Sequence, residues 1–167
     1  LGIHDSAVSS FKPRKPLPAF PQGATVSKQR AVLDTNVLVA AFRSRTGASF
    51  EIFQRLRRDE WTAILSNYLV YEYEEVLKRD APALSLSLTD VDQILNAVSA
   101  RSEEWPLRHD WEPVLEDPDD EPLVQLDQES SALVIITHNT RHLQPAVALG
   151  IQVLKPREFL AMLRQLK

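Results

Sequence analysis

Asp34 is followed at once by Thr35 and Asn36, and this polar trio interrupts an otherwise apolar stretch, RAVLDTNVLVAAF, over residues 30–42. Glu72 lies in a mixed run, an acidic cluster DPDDE occupies residues 117–121, and His138, Asn139 and Thr140 follow the apolar run ALVIIT at 132–137. These side chains offer carboxylate, amide and hydroxyl oxygens, and with no cysteine in the chain they offer no sulfur. Crowded carboxylates repel and need protons or a cation to coexist. An oxygen-rich donor set of this kind favours Mg2+ or Mn2+. The lack of cysteine also excludes disulfides, thiolate zinc sites and thiol nucleophiles, and no G-x-S-x-G sequence supplies an activated serine.

The elements that carry these residues decide whether they can meet. Residues 30–33 read as a buried parallel strand and 35–42 as a helix start, so Asp34 falls at the carboxyl end of a strand, the edge where open α/β sheets bind ligands. The run 132–137 reads as a second buried strand, and its polar end from Thr137 to Asn139 reaches the same edge. Residues 48–58 read as an amphipathic helix and 61–65 as a short strand, with Ser66 as a helix N-cap. In the helix that follows, Leu69, Tyr73, Val76 and Leu77 form one apolar stripe. At about 100° per residue Glu72 stands roughly 60° from Leu69 and roughly 40° from Val76, at the rim of that stripe. Glu74 and Glu75 turn further from it. Residues 89–92 have capping-box spacing before another helix, 103–107 fit an edge strand closed by Pro106, and the turn at 117–122 leads into a helix ending near 130. A strand at 151–154 and a closing helix with Pro156 in its first turn complete the chain. Strands alternating with helices predict an α/β fold, a three-layer α/β/α sandwich with a central parallel sheet.

At 167 residues and 44% apolar content the chain is one domain with a packed core. Its net charge is −4, divided as +4 over residues 1–30 and −8 over the rest, with eleven acids and only Arg108 between positions 103 and 129. Nucleic-acid binding normally relies on basic surface, so if this acidic chain handles nucleic acid, a bound cation or local basic patches must offset its field. No apolar run reaches the roughly 18 residues of a membrane span, and residues 1–30 lack a signal-peptide core; a cytoplasmic protein is expected. Residues 1–29, with Pro13, Pro16, Pro18 and Pro21, read as an extended tail, either a disordered leader or an arm anchored on a partner by Phe11 and Phe20.

Four blocks in order, VLDTNVLVAAF, LSNYLVYEYEEVL, DPDDEPLVQL and ALVIITHNTRHL, resemble a PIN domain, the fold of the VapC-type toxins of bacterial toxin–antitoxin modules. The resemblance covers residues 30–167. It implies an acidic cluster that binds Mg2+ or Mn2+ for endoribonuclease chemistry, with Asp34, Glu72 and Asp120 as catalytic and metal-holding carboxylates. Asn139 stands where many members have an aspartate, giving three carboxylates and an amide oxygen. Asn36, Asp117, Thr137 and His142 take auxiliary places, and Arg43 and Arg45 are candidates for gripping RNA. The toxin reading further implies a cognate antitoxin covering the acidic crevice, and a homodimer.

Each residue also has a plainer role. Asp34 is suited to cap the helix after it, Glu72 to a solvated helix face, the 117–121 acids to a turn before a helix N-terminus, and His138 and Asn139 to a loop. Among other enzyme classes, haloacid-dehalogenase phosphotransferases need a second aspartate where Asn36 stands, and a phospho-receiver needs an acceptor strand that is missing here. A PIN-fold protein that binds RNA or protein without turnover is the remaining alternative, and Asn139 is the residue that favours it.

Overall fold

A computed structural model describes residues 27–166. Five strands, β1 (Gln29–Leu33), β2 (Trp61–Leu65), β3 (Ser102–Glu104), β4 (Val134–Ile136) and β5 (Gln152–Leu154), form one sheet in the order β3-β2-β1-β4-β5. Every pairing is parallel. Consecutive residues of β1, β2 and β4 are buried. Because side chains alternate between the faces of a strand, both faces must be covered.

The cover comes from α1 (Thr35–Arg43), α2 (Ala48–Arg57), α3 (Asn67–Asp80), α4 (Leu88–Ser99), α5 (Glu121–Ser130), the short α6 (Gln144–Val147) and α7 (Pro156–Gln165). Helix α5 packs over β1, β2 and β4, while α2 packs on β2 and α7, and α3 bridges α1, α4 and α5. Trp61 and Phe159, both fully buried, meet edge to face with ring centroids 5.1 Å apart. The predicted three-layer sandwich is therefore the observed architecture. Strand β1 lies between β2 and β4, and the chain crosses to opposite sides of it, so the switch point of the sheet falls at the carboxyl ends of β1 and β4.

Several boundaries differ from the sequence expectation for identifiable reasons. The strand expected at 132–137 is only Val134–Ile136, because Ser131 and Leu133 take left-handed backbone angles of +56° and +62°. The buried Asp127 carboxylate holds that turn by accepting the N–H groups of Leu133 and Val134, each at 3.0 Å. The edge strand is Ser102–Glu104 rather than 103–107. The capping box belongs to Ser87 and Asp90, not 89–92, because α4 begins at Leu88; Asp90 N–H donates to Ser87 Oγ at 3.0 Å and Ser87 N–H to Asp90 Oδ2 at 2.8 Å. Most of the expected tail lies outside the described residues, but Gln29 already pairs with Trp61 in β1. No described helix is long and apolar enough to cross a membrane.

Candidate metal centre

Register brings the first group together. Val32 pairs with Ile135 and Leu33 with Ile136, so the next residues, Asp34 and Thr137, leave adjacent strands side by side. Asp34 N–H donates to the Ile136 carbonyl at 2.9 Å, and the buried Thr137 hydroxyl donates to Asp34 Oδ2 at 2.7 Å. Asn36 ties the two strand ends: its amide nitrogen donates to Asp34 Oδ2 at 3.2 Å, and its Oδ1 accepts the His138 N–H at 3.2 Å. Thr137 Oγ also accepts the Asn139 N–H at 3.0 Å, which fixes the start of that loop. Asp34 occupies the N-cap position of α1, yet its side chain makes no capping hydrogen bond. Its carboxylate is committed to the strand-end network instead.

Helix α3 delivers the second carboxylate. Ser66 caps it, accepting the Leu69 N–H at 3.2 Å, and Leu69, Tyr73 and Leu77 are buried. The Tyr73 hydroxyl donates to the Leu33 carbonyl, one residue before Asp34. That bond sets the rotation of the helix, and Glu72, the neighbour of Tyr73, then faces the same crevice as Asp34. The Thr35 hydroxyl donates to Glu72 Oε2. Glu74 instead pairs with Lys78 on the outer surface, and Glu75 is exposed.

Asp120 comes from the residue before α5, where it makes no capping hydrogen bond. The next residue, Glu121, is buried and accepts the Trp111 indole N–H at 2.8 Å, the Val114 N–H at 2.6 Å and the Leu115 N–H. This anchors the loop ahead of α5 and leaves Asp120 half-buried, with His142 Nδ1 3.9 Å from its Oδ2.

Asp34, Asn36, Arg43, Glu72, Asp120 and Asn139 line one crevice of about 350 Å3, together with Thr35, Val39, Val76, Arg79 and Asp80. Thr137 lies beneath it, fully buried. Asp117 and His142 line an adjoining cavity with Glu116, Arg141 and Pro145. Arg45 stands in a third groove, beside Phe42, Phe50 and Asp90. His138 is turned toward Ser49, with Nε2 3.2 Å from Ser49 Oγ. Thr35 was not among the residues expected at the site; standing next to Asp34 was its only sequence signal. Arg79 extends the 72–76 spacing along α3 and was legible from that spacing.

Burial pushes the Asp34 carboxyl up to about 6, with Asp120 and Glu72 adding repulsion and the Thr137 hydrogen bond opposing it. Asp120 is raised by burial, then by Asp117, against the pull of His142. These acids therefore disfavour each other's charge, the condition a cation relieves. The donor set fits a hard divalent ion: carboxylate oxygens from Asp34, Glu72 and Asp120 and the amide oxygen type of Asn139. As they stand, no three His, Asp or Glu side chains among the described residues form a ready coordination group. A Mg2+-type ion requires no such cage, because it keeps several waters and uses one or two carboxylates.

No curated protein matches the chain. A family model described as the PIN domain matches residues 30–141, from the start of β1 through the loop after β4. That span contains both halves of the switch point, α3 and the start of α5, and so every element that lines the acidic crevice. The all-parallel sheet, the crevice at its carboxyl edge and the matched span agree: the chain belongs to the PIN domain family and has its nuclease-type fold.

Proposed function

We propose that this protein is a divalent-metal-dependent endoribonuclease that hydrolyses RNA phosphodiester bonds, with Asp34, Glu72 and Asp120 holding Mg2+ or Mn2+ and Asn139 adding a neutral oxygen. The observation that carries this reading is the convergence of the three carboxylates on one crevice at the switch point of a PIN-domain sheet. When bound, the ion supplies the positive charge that polarises a phosphodiester oxygen and lowers the pKa of an attacking water.

The protein's own contribution is placement. Thr137 and Asn36 orient Asp34 through Oδ2, and Thr35 orients Glu72 through Oε2. Arg43, exposed at the crevice wall, is placed to meet a phosphate. Asp117 and His142 flank Asp120 from the adjoining cavity and act on the charge of that carboxyl. Arg45, in its separate groove, would serve RNA only along a longer track. In the toxin reading the protein acts in the cytoplasm as a homodimer, and a cognate antitoxin inhibits it by placing a basic group against Asp34 and Glu72.

Cleavage of labelled RNA in Mn2+ tests the reading, with wild type compared to Asp34→Ala. Wild type is expected to cut and the variant to lose at least about a hundredfold, in line with removal of a group that holds a catalytic metal. Equal cutting by both, or none by either, overturns it. The second reading, RNA or protein binding without turnover, is favoured by Asn139, which leaves the site one charge short of a four-acid cluster. RNA binding by wild type with no cutting in Mn2+ supports that reading instead.

A further inference from the structure

The groove that holds Arg45 takes no part in the metal chemistry. It has a volume of about 290 Å3 and is lined by α2 and α4. Its floor is Phe42, Phe50, Phe53, Leu86 and Ile94. The rings pack on one another: Phe42 meets Phe53 edge to face with centroids 5.0 Å apart and Phe50 with centroids 6.3 Å apart. Phe50 and Leu86 are only partly buried, so the described residues leave an apolar surface there in contact with water. Arg57, in the last turn of α2, marks one end of the groove, and Arg45, ahead of the first turn, marks the other. The described chain starts beside the Arg57 end. Lys28 pairs with Asp59, two residues past Arg57, and Gln29 pairs with Trp61 in the sheet. Residues 1–26 lie outside the described residues.

We propose that this groove is the docking site of the chain's own segment from Pro16 to Val26, with Phe20 seated among the phenylalanine rings. The composition of the segment suits the groove. From Pro16 to Ser27 the sequence PLPAFPQGATVS has no charged residue, although Lys12, Arg14 and Lys15 precede it and Lys28 follows it. Pro18 and Pro21 have the P-x-x-P spacing of proline-rich segments, which enter aromatic-lined grooves and have little backbone freedom to lose. The length suits it too. Phe20 stands eight residues before Lys28, about 25 Å of extended chain at 3.1 Å per residue. From Arg57 to Phe50 the groove follows seven residues of α2, about 10 Å. Charge selects which part of the arm enters: Arg45 and Arg57 repel the basic residues 12–15, and Asp90 on the rim is taken up by the capping box of α4. The uncharged part is the one that fits between them. No lining residue is shared with the acidic crevice, so the inference stands apart from the nuclease reading.

The chain has no cysteine, so two introduced thiols report contact without interference. In the full chain Ala19→Cys is combined with Gln93→Cys, exposed on the groove rim. Disulfide formation under mild oxidation in dilute protein is followed by mass and gel mobility. The control combines Ala19→Cys with Glu129→Cys on α5, outside the groove. Glu129 is also near the start of β1, since the carbonyl of the next residue, Ser130, accepts the Arg30 guanidinium at 2.9 Å. The Gln93 pair is expected to close within one chain at least about tenfold faster than the Glu129 pair, because docking raises the effective concentration of its thiols. Adding Phe20→Ala is expected to bring that rate down to the control's. Unchanged melting temperatures show that the variants fold. Equal rates for the two pairs, or a Gln93 rate that Phe20→Ala leaves unchanged, overturns the proposal. Disulfide-linked dimers in place of the linked monomer also overturn it, since the groove then takes a second copy.

Discussion

Thr137 donates its hydroxyl to Asp34 Oδ2 at 2.7 Å, joining two residues 103 positions apart in the chain. They are neighbours because each is the first residue past a pair of strands held in parallel register. The bond orients the carboxylate of Asp34 toward the end of β4.

Removing that hydroxyl while keeping the side-chain volume should show what the bond contributes. Thr137→Val is expected to cost about 1.5–3 kcal/mol of folding stability, the range for a buried hydrogen bond to a charged group, and to weaken Mn2+ binding. Thr137→Ser should stay close to wild type in both. Urea unfolding and a Mn2+ titration measure the two effects; a valine variant with wild-type affinity would show that Asp34 needs no such support.

Three glutamates within four residues separate on α3. Glu72→Gln is expected to lose at least about a hundredfold in RNA cleavage, the loss expected when a group holding the metal is neutralised. Glu74→Gln should lose only its solvent-screened surface pair with Lys78 and keep wild-type activity. Parallel cleavage assays decide it, and equal activities for the two variants would contradict the rotation of α3 set by Tyr73.

Asn139 is exposed and sits on the crevice wall. Asn139→Asp supplies a fourth carboxylate and is expected to increase the Mn2+-induced rise in melting temperature, because an ion that binds only the folded state stabilises it in proportion to occupancy. Without metal the same variant should melt lower than wild type, from added repulsion. A thermal-shift titration checks both signs; no difference in the presence of Mn2+ would place residue 139 out of reach of the ion.

Asp127 gives a pH signature unrelated to the crevice. Burial pushes its carboxyl up to about 6, against the N–H bonds from Leu133 and Val134. A raised folded-state pKa means that the unfolded chain releases its proton first as pH rises. Stability therefore falls between about pH 4 and about pH 6, then levels off, by an amount on the order of 2–3 kcal/mol. Asp127→Asn should lack that slope, so the stability difference between the two proteins in chemical unfolding should change between about pH 4 and about pH 6. A difference independent of pH would show that Asp127 titrates normally.

What the sequence disclosed followed from local periodicity and strand polarity. Residues 61–65, an apolar run closed by a good N-cap at Ser66, became β2 without correction. The stripe of Leu69, Tyr73 and Leu77 put Glu72 on the correct side of α3, and Asp34 and Asn139 reached one edge because parallel strands end together. The rest depended on buried carboxylates acting over distance. Asp127 turns residues 131–133 out of β4, and Glu121 gathers the 111–115 loop. Neither role is visible in the sequence, since burial of a charge leaves no periodic trace. For the same reason Asp117, three residues from Asp120, faces a different cavity: in a turn, closeness along the chain does not fix direction.

The most direct measurement is the anomalous difference density of a crystal soaked in Mn2+. A peak is expected in the crevice within bonding distance of Asp34 and at least one of Glu72 and Asp120, and it should be lost in Asp34→Ala crystals. A fully soaked crystal with no peak there, or with a peak only outside that crevice, would contradict it.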